Sequence, residues 1–166
     1  IIVGNGLGLE PRVRVLRQDG TEIGSFLAYA PNVGIGINVI TCDITGDGFN
    51  EIIVSPQRGG GPHIRIFNRY GKAIDDGGFF AYNKNFKGGV NLVCGNLDDS
   101  KKSELVTLPG PDGGPHIKVW NFSNGQSKLL KQFFAFDAKN TVGLVGTIHK
   151  KILHVSQQKT STPFIK

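Results

Sequence analysis

Pro62-His63-Ile64-Arg65-Ile66-Phe67 has a closely similar counterpart on either side of it in the sequence. Pro11-Arg12-Val13-Arg14-Val15-Leu16 begins 51 residues before it, and Pro115-His116-Ile117-Lys118-Val119-Trp120 begins 53 residues after it. A second block, Phe79-Phe80-Ala81-Tyr82, recurs at almost the same spacing, with counterparts at 26–29 and 133–136. Two independent blocks with one period indicate a single structural unit present in three copies.

The central copy has the pattern of four short strands. Residues 37–41 and 52–54 are rich in β-branched side chains, and residues 63–67 alternate polar and apolar side chains at the period of a strand. A fourth strand leads through residues 79–82 to Gly88-Gly89. Four antiparallel strands in a repeat of about 50 residues, without a helical pattern, are the content of one β-propeller blade. We therefore predict an all-β protein of about three four-stranded antiparallel blades.

The copies are not equally complete. We place them at about 1–36, 37–89 and 90–141, with a degenerate partial fourth copy at 142–166, all within a single partial propeller domain. Residues 1–4 align with the second strand of the central copy, so the first copy lacks its opening strand, whereas residues 142–146 match an opening strand. Natural propellers have roughly four to eight blades. The sequence therefore predicts part of a larger ring, or a homodimer that closes a six-bladed ring with two-fold symmetry.

Oxygen-bearing side chains alternate along the loop between the first two strands of the central copy, with Gly48 where the backbone must bend. Calcium takes six to eight oxygen ligands, which this loop offers from the side chains of Asp43, Thr45, Asp47 and Glu51 and from the carbonyl group of Phe49. The pattern resembles the start of an EF-hand, but a strand follows it and no helix. Two interpretations stay open: a calcium site, and an Asx-type turn in which Asp43 accepts hydrogen bonds from backbone amides without a metal.

The later copies lose this loop in steps. The next copy has Asn96, Asp98, Ser100 and Glu104 at the equivalent positions, with Lys101 in place of the glycine. Fewer anionic ligands and an adjacent ammonium group both weaken a divalent cation site, so we predict a weaker second site here. In the last copy, residues 147–151 no longer contain the loop.

The order of these motifs resembles the FG-GAP/VCBS class of repeats, the family of integrin-α-like β-propellers, over residues 1 to about 146. The resemblance implies that the loop at 43–51 holds calcium through the five residues named above. It also implies a secreted or cell-surface protein that binds proteins or glycans. The chain departs from the usual pattern in its basic charge and in the altered loops of its later copies.

A row of basic residues recurs on the third strand of each copy and is a second candidate binding surface: Arg12, Arg14, His63, Arg65, His116 and Lys118. Residues two apart on a strand share a face, and the period places equivalent residues on successive blades. Two interpretations stay open: a ring of side chains that holds an anion, and side chains whose stems pack on the neighbouring blade while their heads reach water.

Cys42 and Cys94 are the two cysteines of the chain. Aligning the repeats places Cys94 opposite Thr41, so the two side chains should leave opposite faces of their sheets. We therefore expect buried thiols and no disulfide between them.

Charge and the absence of catalytic motifs limit the function classes. The net charge is +6, but the lysines near the end of the chain lack interleaved aromatic residues, so we predict no specific nucleic-acid site. No apolar run is long enough to span a membrane. Nucleophile, zinc-hydrolase and phosphate-loop motifs are also missing. We expect a binding or adhesion module and no enzyme, the alternatives being an architectural segment of a larger surface protein and a propeller enzyme that acts on polysaccharide.

Overall fold

Four antiparallel sheets follow one another along the chain in the computed structural model, which describes residues 1–158. Sheet 1 contains β1 (Ile2–Gly4), β2 (Arg12–Leu16) and β3 (Glu22–Leu27). Sheet 2 contains β4 (Ile37–Cys42), β5 (Glu51–Pro56), β6 (His63–Phe67) and β7 (Phe79–Phe80). Sheet 3 contains β8 (Val90–Gly95), β9 (Glu104–Pro109), β10 (His116–Ser123) and β11 (Gln126–Phe134). Sheet 4 contains β12 (Leu144–His149) and β13 (Ile152–Gln157).

The prediction of an all-β fold is confirmed. The described residues contain no α-helix, and one 3-10 turn at Pro31–Val33 connects sheets 1 and 2. Strands that are neighbours in the chain pair with each other within every sheet. Residues 159–166, the end of the predicted fourth copy, lie outside the part of the chain that the structure describes.

The apolar core forms three layers, one between each sheet and the next. Alternate residues of β5 serve different layers: Ile52 and Val54 pack in the layer with Val13 of sheet 1, and Ile53 packs in the layer with Leu105 of sheet 3. All six residues of β5 are buried, as are all six of β9. Each large apolar side chain buried in this way stabilises the fold by roughly 1.5–3 kcal/mol. Successive sheets are therefore packed face to face.

Sheets 1 and 4 have one covered face each. In β12 and β13, Leu144, Leu153 and Val155 belong to the layer against sheet 3, while Val145 and Ile152 on the opposite face are exposed. In β1, Ile2 packs toward sheet 2 and the adjacent Val3 is exposed. The outer faces of the two end sheets thus present apolar side chains to solvent.

The expectation that Cys42 and Cys94 do not pair is wrong. They form a disulfide that joins the end of β4 to β8, with their Cα atoms 6.3 Å apart. The two side chains do leave opposite faces of equivalent strands, but face-to-face packing brings the back of sheet 2 against the front of sheet 3. Both cysteines therefore reach the same core layer.

Candidate functional site

The loop between β4 and β5 is folded around its own carboxylates. Asp43 Oδ1 accepts a hydrogen bond from the amide of Gly46 at 2.6 Å, and Oδ2 accepts one from Gly48 at 2.9 Å. Both glycines lie in the left-handed region, with φ of 82° and 87°, where a side chain would be strained. Asp47 Oδ1 accepts from the amide of Phe49 at 2.8 Å.

Glu51 closes the loop from the first position of β5. Its side chain is buried, and Oε2 accepts hydrogen bonds from the amides of Ile44 at 3.1 Å and Thr45 at 3.2 Å. Burial raises the pKa of Glu51 more than these amides lower it, and the negative charges of Asp47 and Asp43 raise it further. The loop thus holds three acidic groups that repel one another.

The donor set of this loop suits a hard cation, but the side chains do not converge as ligands. Within residues 1–158, none of the three carboxylates forms a salt bridge with a lysine or arginine. Over the same residues, no group of three or more His, Cys, Asp or Glu side chains is arranged to hold a metal ion. The hydrogen bonds are those of the amide-capped turn, and calcium binding stays a prediction.

The loop between β8 and β9 repeats this arrangement with fewer charges. Glu104 is buried and its Oε2 accepts from the amide of Leu97 at 2.8 Å, as Glu51 does in the first loop. Asp98 Oδ1 accepts from the amide of Ser100 at 2.6 Å, which lowers the pKa of Asp98. Asn96 Nδ2 donates to the carbonyl of Ser100, while Asn96 Oδ1 is buried without a hydrogen-bond partner in the described structure. That oxygen is an open acceptor at the position where Asp43 stands in the first loop.

The corresponding connection in sheet 4 is a tight turn. β12 ends at His149 and β13 begins at Ile152, so only Lys150 and Lys151 connect them. Both lysines have positive φ, 48° and 63°, as a two-residue hairpin turn requires. This turn contributes no carboxylate.

The basic row lies on β2, β6 and β10, and most of its charged members have a partner within their own or the adjacent sheet. Arg12 and Arg14 pair with Glu10 and Glu22 at 3.0 and 2.6 Å, and Arg65 pairs with the buried carboxylate of Asp75 at 3.3 Å. Lys118 Nζ donates to the carbonyl of Ala81 at 2.8 Å, and burial lowers the pKa of Lys118. The row is therefore divided among three sheets and does not converge on one site.

The two histidines of the row stack on phenylalanine rings of the next strand. His63 stacks on Phe80 and His116 stacks on Phe134, each with ring centroids 4.7 Å apart. His63 Nε2 also lies 2.9 Å from the carbonyl oxygen of Gly77. Burial lowers the pKa of both histidines, which favours the neutral imidazole and a packing role.

A repeated tyrosine contact between sheets was not anticipated from the sequence. The hydroxyl of Tyr29, which follows sheet 1, lies 3.1 Å from the carbonyl of Val54 and 2.5 Å from that of His63 in sheet 2. The hydroxyl of Tyr82 makes the same two contacts to sheet 3, at 2.7 Å from the carbonyl of Thr107 and 2.9 Å from that of His116. Burial raises the pKa of both tyrosines, so they remain neutral donors. The signal was present in the recurring Phe-Ala-Tyr block, which ends in Phe136 in the last copy.

A repeated asparagine contact joins the first strands of successive sheets. Asn38 Nδ2 donates to the carbonyl of Val90 at 2.8 Å, and Asn91 Nδ2 donates to that of Leu144 at 2.7 Å. Both amides line an open cleft of about 340 Å³ that also contains Gln57 and Arg58. The polar groups of the two asparagines are thus used to hold one sheet to the next.

Comparison of the chain with protein-family models, with curated proteins and with solved structures finds no match. Across residues 1–158, no helix has the length and apolar character needed to cross a membrane.

Proposed function

We propose that this chain is a non-catalytic binding module built of β-propeller blades, similar to FG-GAP/VCBS repeats. The observation that supports it best is that sheet 1 packs on sheet 2, and sheet 2 on sheet 3, through the same tyrosine contact at equivalent positions. The asparagine contact repeats in the same way from sheet 2 to sheet 3 and from sheet 3 to sheet 4. One packing operation applied repeatedly generates a solenoid or a ring, and four-stranded antiparallel units are the blades of a propeller.

Binding is the function that this architecture serves most directly. The loops between successive sheets line open clefts, and binding residues are most often found on loops that a rigid scaffold holds in place. A protein or a glycan is the ligand that the resemblance to FG-GAP/VCBS repeats favours. The alternatives are an architectural role in a larger surface protein and a propeller enzyme acting on polysaccharide.

A location outside the cell or at its surface is supported by the Cys42–Cys94 disulfide. Disulfides persist in oxidising environments and are rare in the cytosol of most organisms. The bond also joins one sheet to the next, so it stabilises the contact between two repeats of a secreted protein.

Calcium is the cofactor we propose for the loop at 43–51. Three carboxylates without a basic partner lie in one short loop, and a divalent cation would relieve their mutual repulsion. Asp43, Thr45, Asp47 and Glu51 would hold the ion with the carbonyl oxygen of Phe49. The second loop, with its open Asn96 Oδ1, would bind more weakly because it has fewer anionic groups.

A second copy of the chain is the partner we propose for the end sheets, in a two-fold assembly that closes a ring. Val3 of sheet 1 and Val145 and Ile152 of sheet 4 expose apolar surface on the outer faces, whereas sheets 2 and 3 pack against a neighbouring sheet on both faces. Covering those faces would give all sheets the same environment.

A glycan array probed with the purified protein in calcium-containing buffer tests the binding function. Reproducible binding to a defined group of glycans, without their cleavage, supports a binding module. Release of shortened products would instead support the polysaccharide-processing alternative. No bound glycan on the array would contradict glycan binding and favour the architectural role.

A further inference from the structure

An open cleft of about 330 Å³ lies between sheets 2 and 3. The loop that follows β7 forms one wall, and the connection from β9 to β10 forms the other. Four aromatic side chains and two polar ones line the cleft: Tyr82, Phe86, His116, Phe134, Asn83 and Asp112. The volume of the cleft is at the lower end of the range for small-molecule sites, roughly 300–1,000 Å³.

The equivalent place between sheets 1 and 2 is a comparison built into the same chain. The repeat shared by the two copies places Tyr29, His63 and Phe80 at the positions of Tyr82, His116 and Phe134. These shared residues are explained by the sheet packing already described. The other three residues of the cleft differ between the copies. Asn83, Phe86 and Asp112 correspond to Ala30, Val33 and Gly59 of the preceding copy. Each difference adds an aromatic ring or a polar group, and all three line this one cleft.

The ring of Phe86 fits because two glycines lie beside it. A Cβ atom on Gly88 would lie 2.4 Å from this ring, and one on Gly113 would lie 2.9 Å from it. The residue equivalent to Gly88 in the preceding copy is Ile35. Phe86 also packs edge-on against Tyr82, with ring centroids 6.0 Å apart. The ring of Phe86, which is larger than Val33, and the small Gly88, which replaces Ile35, together give the cleft an aromatic wall.

Asp112 has no evident role in stability. Its φ is 70°, in the left-handed region that its counterpart Gly59 occupies without cost. Its side chain is 69% exposed and pairs with Arg58 at 2.8 Å. An exposed ion pair of this kind contributes only about 0–1 kcal/mol. A strained backbone that stability does not explain is a reason to consider function.

We propose that this cleft binds a pyranose unit of a saccharide. The proposal deepens the binding function proposed above and rests on it. Phe134 stacks on His116 and is still 56% exposed, so its ring offers a platform for the apolar face of a sugar. Sugar hydroxyls need acceptors, which the carboxylate of Asp112 supplies from the wall of the cleft. Asn83 Oδ1 already accepts from the amide of Asn85 at 2.9 Å, which leaves the Asn83 amide NH2 as a donor.

The charges of the cleft favour a neutral polyol over an ion. An aromatic cage that binds a cation works best with uncompensated negative charge, and here Arg58 neutralises Asp112. An anion would have to displace the same carboxylate. A neutral sugar can donate a hydroxyl hydrogen bond to the carboxylate of Asp112 without breaking its ion pair with Arg58.

Saturation-transfer difference NMR with methyl pyranosides of glucose, galactose, mannose and N-acetylglucosamine tests the site. At about 10 mM, a probe with a Kd near 1 mM occupies most sites. We expect at least one pyranoside to bind, and Phe86→Val and Asp112→Gly each to weaken its binding about tenfold or more. The two variants carry the residues found at the equivalent positions between sheets 1 and 2, which are Val33 and Gly59. Val33→Ala, at that equivalent place, is the control and should leave binding unchanged.

Asp112→Gly keeps the test sharp because it removes backbone strain and should fold at least as well as the parent, even if Phe86→Val loosens the loop. A pyranoside that binds the parent and both variants equally would overturn this site while the general saccharide-binding function stands. If none of the four pyranosides binds the parent, the proposal fails, and the glycan array then decides separately whether the module binds larger glycans.

Discussion

Tyrosine hydroxyl groups form hydrogen bonds between successive sheets of this molecule, and Tyr82 is the clearest case. Tyr82→Phe removes the hydrogen bonds to the carbonyls of Thr107 and His116 and leaves those acceptors partly buried. We expect a loss of about 1–3 kcal/mol in the free energy of unfolding. Denaturant unfolding measures it, with Tyr70→Phe as the control because Tyr70 is 78% exposed. Equal stability of the two variants would show that the contact between sheets contributes nothing.

The carboxylates at 43–51 lead to a prediction about calcium. A cation that binds only the folded state stabilises it by mass action, about 2.7 kcal/mol when its concentration is 100 times the Kd. We expect calcium to raise the melting temperature of the parent and to have no such effect on Asp47→Ala. Asp19→Ala, which changes an exposed acidic residue outside the loop, should respond as the parent does. If calcium shifts the parent and Asp47→Ala equally, or shifts neither, the loop is an amide-capped turn only.

His63 and His116 predict a loss of stability in mild acid. Burial lowers the pKa of both in the folded state, whereas the unfolded chain protonates them near the ordinary value of about 6.5. Below that value the unfolded state binds more protons, so stability falls as the pH drops from about 7 and levels off below the lowered folded-state pKa. We expect a smaller drop in melting temperature between pH 7.5 and 5.5 for His63→Gln than for the parent. A drop in this variant as large as that of the parent would refute the prediction.

At the scale of elements, the disulfide between β4 and β8 links two sheets that are otherwise held by packing and hydrogen bonds. The cysteines are 52 residues apart in sequence, and closing a loop of that length stabilises a protein by about 4 kcal/mol in the chain-entropy model. We expect Cys42→Ser/Cys94→Ser to unfold at a clearly lower guanidinium concentration. Intact mass after alkylation without reduction reports whether the bond forms. Two free thiols in the folded parent would contradict the structure at this point.

The strands were predictable because their signal is local. The alternation in β6 and the β-branched residues of β5 follow from the period of a strand, and the repeat itself predicted the copies on either side. The disulfide was not predictable from one sheet considered alone. Its geometry depends on the back of sheet 2 meeting the front of sheet 3, which repeat alignment does not encode.

The candidate sites, too, could be predicted from the sequence only in part. The alternating oxygens at 43–51 were visible in the sequence, but that Asp43 and Glu51 would accept backbone amides follows from a turn geometry with two glycines at positive φ. The cleft between sheets 2 and 3 was missed because its distinctive residues, Asn83, Phe86 and Asp112, are separated by up to 29 residues in the sequence. Each of them is a single isolated difference from its counterpart in the preceding copy. Only the packing of two sheets brings them to one place.

At the scale of the whole molecule, the middle sheets and the end sheets have different environments. Sheets 2 and 3 are covered on both faces, and β5 and β9 are buried along their entire length. Sheets 1 and 4 are covered on one face and expose Val3, Val145 and Ile152 on the other. Exposed apolar sheet faces and unpaired strand edges favour association. A closed ring of two copies would cover both ends with the packing already used inside the chain.

The molecular mass in solution, measured by light scattering coupled to size exclusion, tests whether a second copy closes the ring. The matched control is Val145→Lys/Ile152→Lys, which places charge on the outer face of sheet 4 and leaves the layer against sheet 3 unchanged. We predict a mass twice the 17.9 kDa of the chain for the parent, and a single-chain mass for the double variant. A folded, soluble parent that remains at the mass of one chain at high concentration would contradict closure of the ring by a second copy.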